Sequence, residues 1–130
     1  MRVLALDYGA ARTGVAVSDP TGVLATPLDV VTRANTRKGI DRLATIVRET
    51  GAERVIVGLP LSLSGGDSAQ TQEARAFAQR LAARLGEAVP VELYDERFTT
   101  RIAQRSGSAD TAEDARAAAV LLEDWLEASR

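Results

Sequence analysis

The sequence predicts an α/β fold in which a mixed five-stranded sheet is flanked by helices. Three observations predict it. Short apolar runs, typical of buried strands, recur along the 130 residues. Between the later runs, apolar residues recur at the spacing of amphipathic helices. The first three runs are separated only by turn-forming residues. The predicted order is therefore β-β-β-α-β-α-β-α, an antiparallel meander followed by helix–strand units and a last helix.

The N-terminal stretch predicts the first two strands. Val3–Leu6 is apolar at every position, which favours a strand in the middle of the sheet, covered on both faces. Asp7 ends this strand, and a second apolar run over Val15–Val17 follows a tight turn. Gly9 and Gly14 are interpreted as hairpin glycines with positive φ. We expect Asp7 to be partly screened from water, where a carboxylate needs a cation, backbone amides or a metal as partner.

The later elements are bounded by turn and capping residues, with Gly51 and Gly86 predicted as helix stops. Before the first of these helices, a turn is predicted over Asp19–Gly22 and a third strand over Val23–Thr32, interrupted by Pro27. The first helix is capped by Asn35 or Thr36. A strand over Arg54–Gly58, a loop over Leu59–Gly66 and a second helix from Asp67 or Ser68 follow it. After Gly86 the sequence predicts a strand over Pro90–Tyr94, one or two helical turns over Thr99–Arg105, and a last helix that is capped by Thr111 and runs to about Glu127. One domain over residues 1–130 accounts for this length.

Composition restricts the chemistry. The chain has neither Cys nor His, which excludes disulfides, thiolate catalysis, a Ser-His-Asp triad and the usual zinc sites. Carboxylates, hydroxyls, arginines or a bound metal must then carry any reaction. No apolar stretch approaches the length of a membrane span, about 20 residues, and the N-terminus enters a strand at once, so we expect a cytoplasmic protein without a membrane partner. The net charge of −2 argues mildly against nucleic-acid binding.

Three acidic features are predicted to meet at the carboxyl ends of the parallel strands. They are Asp7, the pair Asp95-Glu96 and Asp114, which lies at the edge of the last helix's apolar stripe. Clustered carboxylates repel one another, and Mg²⁺ or Mn²⁺ would relieve that repulsion. Each feature also has a structural explanation: Asp7 could bond turn amides, Asp95-Glu96 could be a solvated strand end, and Asp114 could be N3 of a capping box begun by Thr111.

Several motifs follow one another in a characteristic order. They are Asp7-Tyr8-Gly9, Arg12, Gly14-Val15-Ala16, Val57-Gly58-Leu59-Pro60, Gly65, Asp95-Glu96-Arg97-Phe98-Thr99-Thr100, Ala103, Asp114, Ala118, Leu122 and Leu126. Together they resemble the YqgF/RuvX family of RuvC-like resolvases, also described as pre-16S rRNA nucleases. The resemblance covers essentially the whole chain.

The resemblance implies an RNase H-like fold and a nuclease site that holds divalent metal, with two ions of Mg²⁺ or Mn²⁺. By position, the metal-binding and catalytic acids would be Asp7, Glu96 and Asp114, with Asp95 as the alternative to Glu96. The groups that contact substrate phosphate would be Arg12, Arg97, Thr99 and Thr100. The implied activity is endonucleolytic hydrolysis of phosphodiesters in structured nucleic acid.

The sequence departs from the family in two places. The segment between Thr100 and Asp114 is short, and Asp110 and Ala112 stand where basic residues commonly precede the last acid. This weakens the case for a tight grip on a four-way DNA junction and favours 5′ processing of pre-16S rRNA. A homodimer could still assemble a basic surface from Arg33, Arg37, Lys38 and Arg42, which leaves junction resolution open.

Two other classes of function share some of these features. A non-catalytic ribosome-assembly factor would gain nothing from clustered carboxylates beside phosphates. The Asp-x-Gly-x-x-x-x-Gly spacing from Asp7 to Gly14 is also similar to the phosphate loop of actin-like ATPases, but the chain is too short for their second domain.

Overall fold

The computed structural model describes residues 1–59, 69–95 and 111–129. The elements in these ranges are β1 (Val3–Asp7), β2 (Arg12–Ser18), β3 (Ala25–Thr32), α1 (Arg37–Thr50), β4 (Arg54–Leu59), α2 (Ala69–Leu85), β5 (Val91–Asp95) and α3 (Thr111–Ala128). Their order confirms the predicted β-β-β-α-β-α-β-α succession. The predicted turns over Thr99–Arg105 and most of the predicted loop over Leu59–Gly66 lie outside the described residues.

The strands form one mixed sheet in the order β3-β2-β1-β4-β5. β1 is antiparallel to β2 and parallel to β4, and β4 is parallel to β5. All five residues of β1 are buried, which confirms its predicted place in the middle. Because β1, β4 and β5 run in the same direction, their carboxyl ends meet at one edge of the sheet.

The two faces of the sheet carry separate cores, and strand alternation assigns each residue to one of them. Leu4 and Leu6 belong to the core beneath α1 and α2. Val3 and Ala5 belong to the core beneath α3. Side chains two residues apart lie on the same face of a strand, so Asp7 shares the face of Val3 and Ala5, which is the α3 face.

Helix ends follow the predicted capping chemistry. The Thr36 side chain accepts a hydrogen bond from the Gly39 amide, and Gly51 ends α1 in the left-handed region with φ 71°. Gly86 ends α2 with φ 76°. These positions confirm the Thr36 alternative and both helix stops, because a residue without Cβ adopts positive φ at little cost.

The third strand differs slightly from its prediction, since it begins at Ala25 and not at Val23. Pro27 remains within it, opposite Ala16 and next to a register shift. A proline has no amide to donate to a sheet, and β3 tolerates one because it is an edge strand. In the ranges given above, no helix is long and apolar enough to cross a membrane.

Candidate active site

Asp7 is the buried carboxylate at the carboxyl end of the central strand. Its side chain and backbone together are only 4% exposed. Its register partner on β2 is Gly14. β2 pairs with β1 as far as Asp7 itself, and β4 pairs with it as far as Leu6, so Asp7 stands at the end of a strand that has a neighbour on each side.

Asp114 reaches the same region from the last helix. It lies in the first turn of α3 and is 9% exposed. The inward orientation predicted for it is therefore confirmed. The alternative of a capping box involves the Thr111 side chain, which lies outside the described part, so that alternative stays untested.

Gly14 joins the two acids. A Cβ placed on Gly14 would stand 1.9 Å from the Asp114 carbonyl oxygen and 3.2 Å from the Ala115 nitrogen. The first turn of α3 thus rests directly on the β2 backbone. Gly14 is also the register partner of Asp7, so the first turn of α3 packs on β2 beside the end of β1 that carries Asp7.

The positive φ predicted for Gly9 and Gly14 is wrong. Within the described ranges, the glycines with positive φ are Gly22, Gly51 and Gly86. At Gly9 a Cβ would meet the Arg12 carbonyl oxygen at 2.4 Å. Both glycines are therefore needed for close approach of the backbone, not for a left-handed turn.

Arg12 supplies the positive charge beside Asp114. Its Nε lies 3.0 Å from Asp114 Oδ2, with the two side chains 25% and 12% exposed. The contact is an ion pair and not a directed hydrogen bond, because Oδ2 is buried without an aligned donor. Arg12 was predicted to contact substrate phosphate. What the structure adds is that its guanidinium neutralises an acid of the site.

Tyr8 ties the turn between β1 and β2 to α2. Its ring stacks on Phe77 with centroids 4.6 Å apart, and its hydroxyl donates to Glu73 Oε1 at 2.7 Å. Burial, together with the Glu73 carboxylate, raises the pKa of Tyr8 to about 12. The phenol therefore remains protonated at neutral pH and keeps its hydrogen bond, which helps to fix the residue next to Asp7.

Asp95 ends β5 and lies on the other face of the sheet from Asp7. Tyr94 packs on the α3 core, whereas Val91 packs on the core beneath α1 and α2. Alternation places Asp95 on the same face as Val91. The other predicted acid, Glu96, and the predicted phosphate contacts Arg97, Thr99 and Thr100 all lie outside the described residues.

Whether a divalent cation fits the site depends on the carboxylate oxygens that the acids can offer it. The described ranges contain no group of three or more acidic side chains that could hold a metal ion; Asp7 and Asp114 are two of the three acids that the sequence predicts. Asp114 Oδ2 is a buried oxygen without an aligned donor. A buried carboxylate oxygen is a good ligand for a hard cation, so the described residues supply two of the three acids predicted for such a site.

Sequence reasoning missed the packing role of Gly14 and the ion pair between Arg12 and Asp114. One signal could have found the first. The inner face of α3 begins with small residues, Ala115, Ala118 and Ala119, all of them buried. Small residues on a helix facing a strand glycine indicate that the two backbones come close together.

Comparison with known proteins finds matches over nearly the whole chain. The family model described as "RuvX: Holliday junction resolvase" matches residues 1–128. A Mycobacterium ulcerans protein named "Putative pre-16S rRNA nuclease" is 44% identical over 137 residues, covering 99% of this chain and 80% of the relative. A Thermobifida fusca protein with the same name is 44% identical over 142 residues, covering 98% and 87%.

Solved structures show the same fold at low identity. Thermus thermophilus RuvC in complex with a Holliday junction substrate superposes with a TM-score of 0.61 at 19% identity, covering 99% of this chain and 95% of RuvC. The fowlpox virus Holliday junction resolvase gives a TM-score of 0.57 at 13% identity, with both chains covered completely. The predicted RNase H-like fold is thereby confirmed.

Proposed function

Because the chain belongs to the RuvX family, we propose that it is a divalent-metal-dependent endonuclease that hydrolyses phosphodiester bonds in structured nucleic acid. The observation that carries the proposal is the placement of Asp7 and Asp114 on either side of Gly14, both buried and on one face of the sheet. Burying two carboxylates together disfavours folding. A pair retained at the carboxyl edge of a sheet therefore indicates a functional demand.

Asp7, Asp114 and Glu96 would hold the metal in this proposal. Glu96 is preferred to Asp95 because Asp95 faces away from Asp7. When bound, Mg²⁺ or Mn²⁺ activates water and stabilises the charge that develops on the phosphate. The protein contributes rigidity: β1 is covered on both faces, and α3 cannot move closer to β2 than Gly14 permits.

Arg12 has two roles in the proposal. Beside Asp114 it compensates a buried negative charge, which the fold needs when no cation is bound. Its exposed part can contact a substrate phosphate, because a guanidinium has several donors in a fixed fork. Arg97, Thr99 and Thr100 are proposed to bind further phosphate oxygens, as the family resemblance implies.

We favour 5′ processing of pre-16S rRNA, in ribosome biogenesis, as the reaction. The two relatives described above carry the name of a pre-16S rRNA nuclease and align with nearly all of this chain. RuvC, at 19% identity, supports only the fold. The second candidate is resolution of Holliday junctions, because the matching family model is described as a Holliday junction resolvase. A non-catalytic assembly factor is the third, and the paired acids argue against it.

The experiment compares substrates and metals directly. Purified protein is incubated with 16S precursor RNA carrying an extended 5′ end and with a four-way DNA junction, each in Mg²⁺, Mn²⁺ or chelator. We expect metal-dependent cleavage of the RNA and none in chelator. Symmetric nicking of the junction by a dimer, with the RNA uncut, would reverse the substrate preference. Binding of either substrate without cleavage in any metal would support the assembly factor instead.

A further inference from the structure

Three exposed cations lie where β3 passes into α1. Arg33, Arg37 and Lys38 are all exposed, and we refer to them together as the cationic corner. In the described part of the chain, no carboxylate lies within ion-pair distance of any of them. The corner therefore presents three positive charges that no carboxylate of residues 1–59, 69–95 or 111–129 compensates.

Other arginines on the same side of the molecule are compensated. Arg42 Nη2 lies 3.0 Å from Asp29 Oδ2, and its Nη1 is 4.0 Å from Glu49. Arg84 Nε lies 3.4 Å from Asp41. Arg42 thus differs from the three residues with which the sequence groups it, since its charge is already used within the fold. The contrast with Arg42 and Arg84 shows that the place of an arginine in the fold decides whether a carboxylate compensates its charge.

The position of the corner intensifies its field. Arg37 and Lys38 form the start of α1, whose first turn contains no acidic residue. The helix dipole places partial positive charge at that end, so cations there are unfavourable and an anion is favourable. The first turn of α3 shows the opposite, with Glu113 and Asp114. A phosphate bound at the corner would interact favourably both with the three side-chain charges and with the positive end of the α1 helix dipole.

The corner is attached rigidly to the candidate active site. The Arg33 amide donates to the Ala11 carbonyl at 3.0 Å, and Thr32 is the register partner of Arg12. Arg80 donates from α2 to both the carbonyl and the side-chain oxygen of Asn35 at 2.9 Å. Two strand spacings, about 10 Å, separate β3 from the strand that carries Asp7.

We infer that the cationic corner binds the phosphate backbone of the nucleic acid on the β3 side of the site. This inference rests on the proposed nuclease function and adds a direction, since the substrate would cross the sheet edge from Asp7 past Arg12 toward Arg33. Contacts from Arg and Lys to phosphates position a strand without reading its sequence. The corner therefore binds phosphates without regard to sequence, in RNA and in DNA junctions alike.

The test replaces the three cations together, as R33Q/R37Q/K38Q, and measures binding of the precursor RNA and of the four-way junction in chelator across a salt series. Each lost phosphate contact lowers the slope of log affinity against log salt by about 0.7 to 0.9. We expect a slope smaller by about two to three units and affinity weaker by at least about tenfold near 0.1 M salt.

The matched control is R48Q/R54Q/R84Q, which removes the same formal charge from the last turns of α1 and α2 and from the first residue of β4. We expect it to bind and cleave as the wild type does, with a slope change below about half a unit. Equal slope changes in the two variants, or none in the corner variant, would overturn the inference. Cleavage is scored separately. A wild type that binds through the corner but cuts neither substrate defeats the nuclease proposal alone, and a cutting wild type with an unaffected corner variant defeats the corner alone.

Discussion

A Cβ at position 14 would clash with the backbone carbonyl oxygen of Asp114, so only glycine fits between β2 and the first turn of α3. This contact sets the distance between α3 and the sheet. The two acids of the site come from β1 and α3, and Gly14 is the register partner of one and the packing partner of the other. Their relative position therefore depends on a residue with no side chain of its own.

Gly14→Ala should separate the two acids. The added methyl group must displace the first turn of α3, and overpacking of this kind costs about 1 to 3 kcal/mol. We expect a loss of stability of that size in urea unfolding and a loss of cleavage larger than the loss of folded protein. Gly86→Ala is the control, because it is strained by φ 76° but has nothing within 4 Å. It should lose stability and keep full activity per folded molecule. Equal activity in both variants would remove Gly14 from the site.

Asp7→Asn should abolish the reaction while preserving the fold. The change is isosteric but removes the charge that a metal ligand needs, so we expect cleavage to fall by at least about a hundredfold. The free energy of unfolding without metal should stay the same or rise, because one buried negative charge is gone. Asp41→Asn, at an exposed position on α1, controls for charge alone. Normal cleavage by Asp7→Asn would exclude Asp7 from the mechanism.

Asp114→Ala tests the two explanations of this acid. As a metal ligand, Asp114 is needed for activity, so cleavage and Mn²⁺ affinity measured by calorimetry should both fall. As a residue of the helix cap and of the Arg12 ion pair alone, its loss would cost stability only, about 1 kcal/mol for the cap and about 1 to 2 kcal/mol for the pair. In that case cleavage by the folded fraction would persist, and Asp114 would return to its structural explanation.

The ion pair between Arg12 and Asp114 should show measurable coupling. Their side chains are 25% and 12% exposed, so the pair is more desolvated than a surface pair. A double-mutant cycle on unfolding free energies should give a coupling of about 1 to 2 kcal/mol. The cycle on Arg84 and Asp41, which are 49% and 56% exposed, should give about 0 to 0.5 kcal/mol. Indistinguishable couplings would mean that Arg12 does not compensate a buried charge.

Tyr8 should make stability depend on pH in alkali. Its pKa in the folded protein is raised to about 12 from the ordinary value of 10. The neutral phenol is the form that the fold favours, so the stabilisation is fully present below pH 10 and is lost as pH rises from 10 toward 12. Glu73→Gln removes the carboxylate that helps to raise the pKa, and tyrosinate absorbance should then appear at lower pH. Phe77→Leu tests whether ring stacking contributes. An unchanged titration in Glu73→Gln would contradict the assigned cause.

The sequence by itself determined the order of the elements and the character of β1. A strand that is apolar at every position can bury both of its faces only if a hydrophobic core lies on each side of the sheet. All residues of β1 are buried, as this requires. Gly51 and Gly86 could be predicted as helix ends because a positive φ is a local requirement, whereas the choice of Thr36 over Asn35 as the cap of α1 came from the structure. The acids Asp7 and Asp114 could be singled out because a carboxylate beside apolar residues needs an explanation.

Only the tertiary structure decided how these residues meet. The spacing of Gly9 and Gly14 is that of a hairpin, and nothing local reveals that a helix about 100 positions later in the chain rests on Gly14. The pair between Arg12 and Asp114 and the compensation of Arg42 by Asp29 join distant segments in the same way. Burial and charge pairing depend on the approach of whole elements, and that approach is set by the packing of the complete sheet.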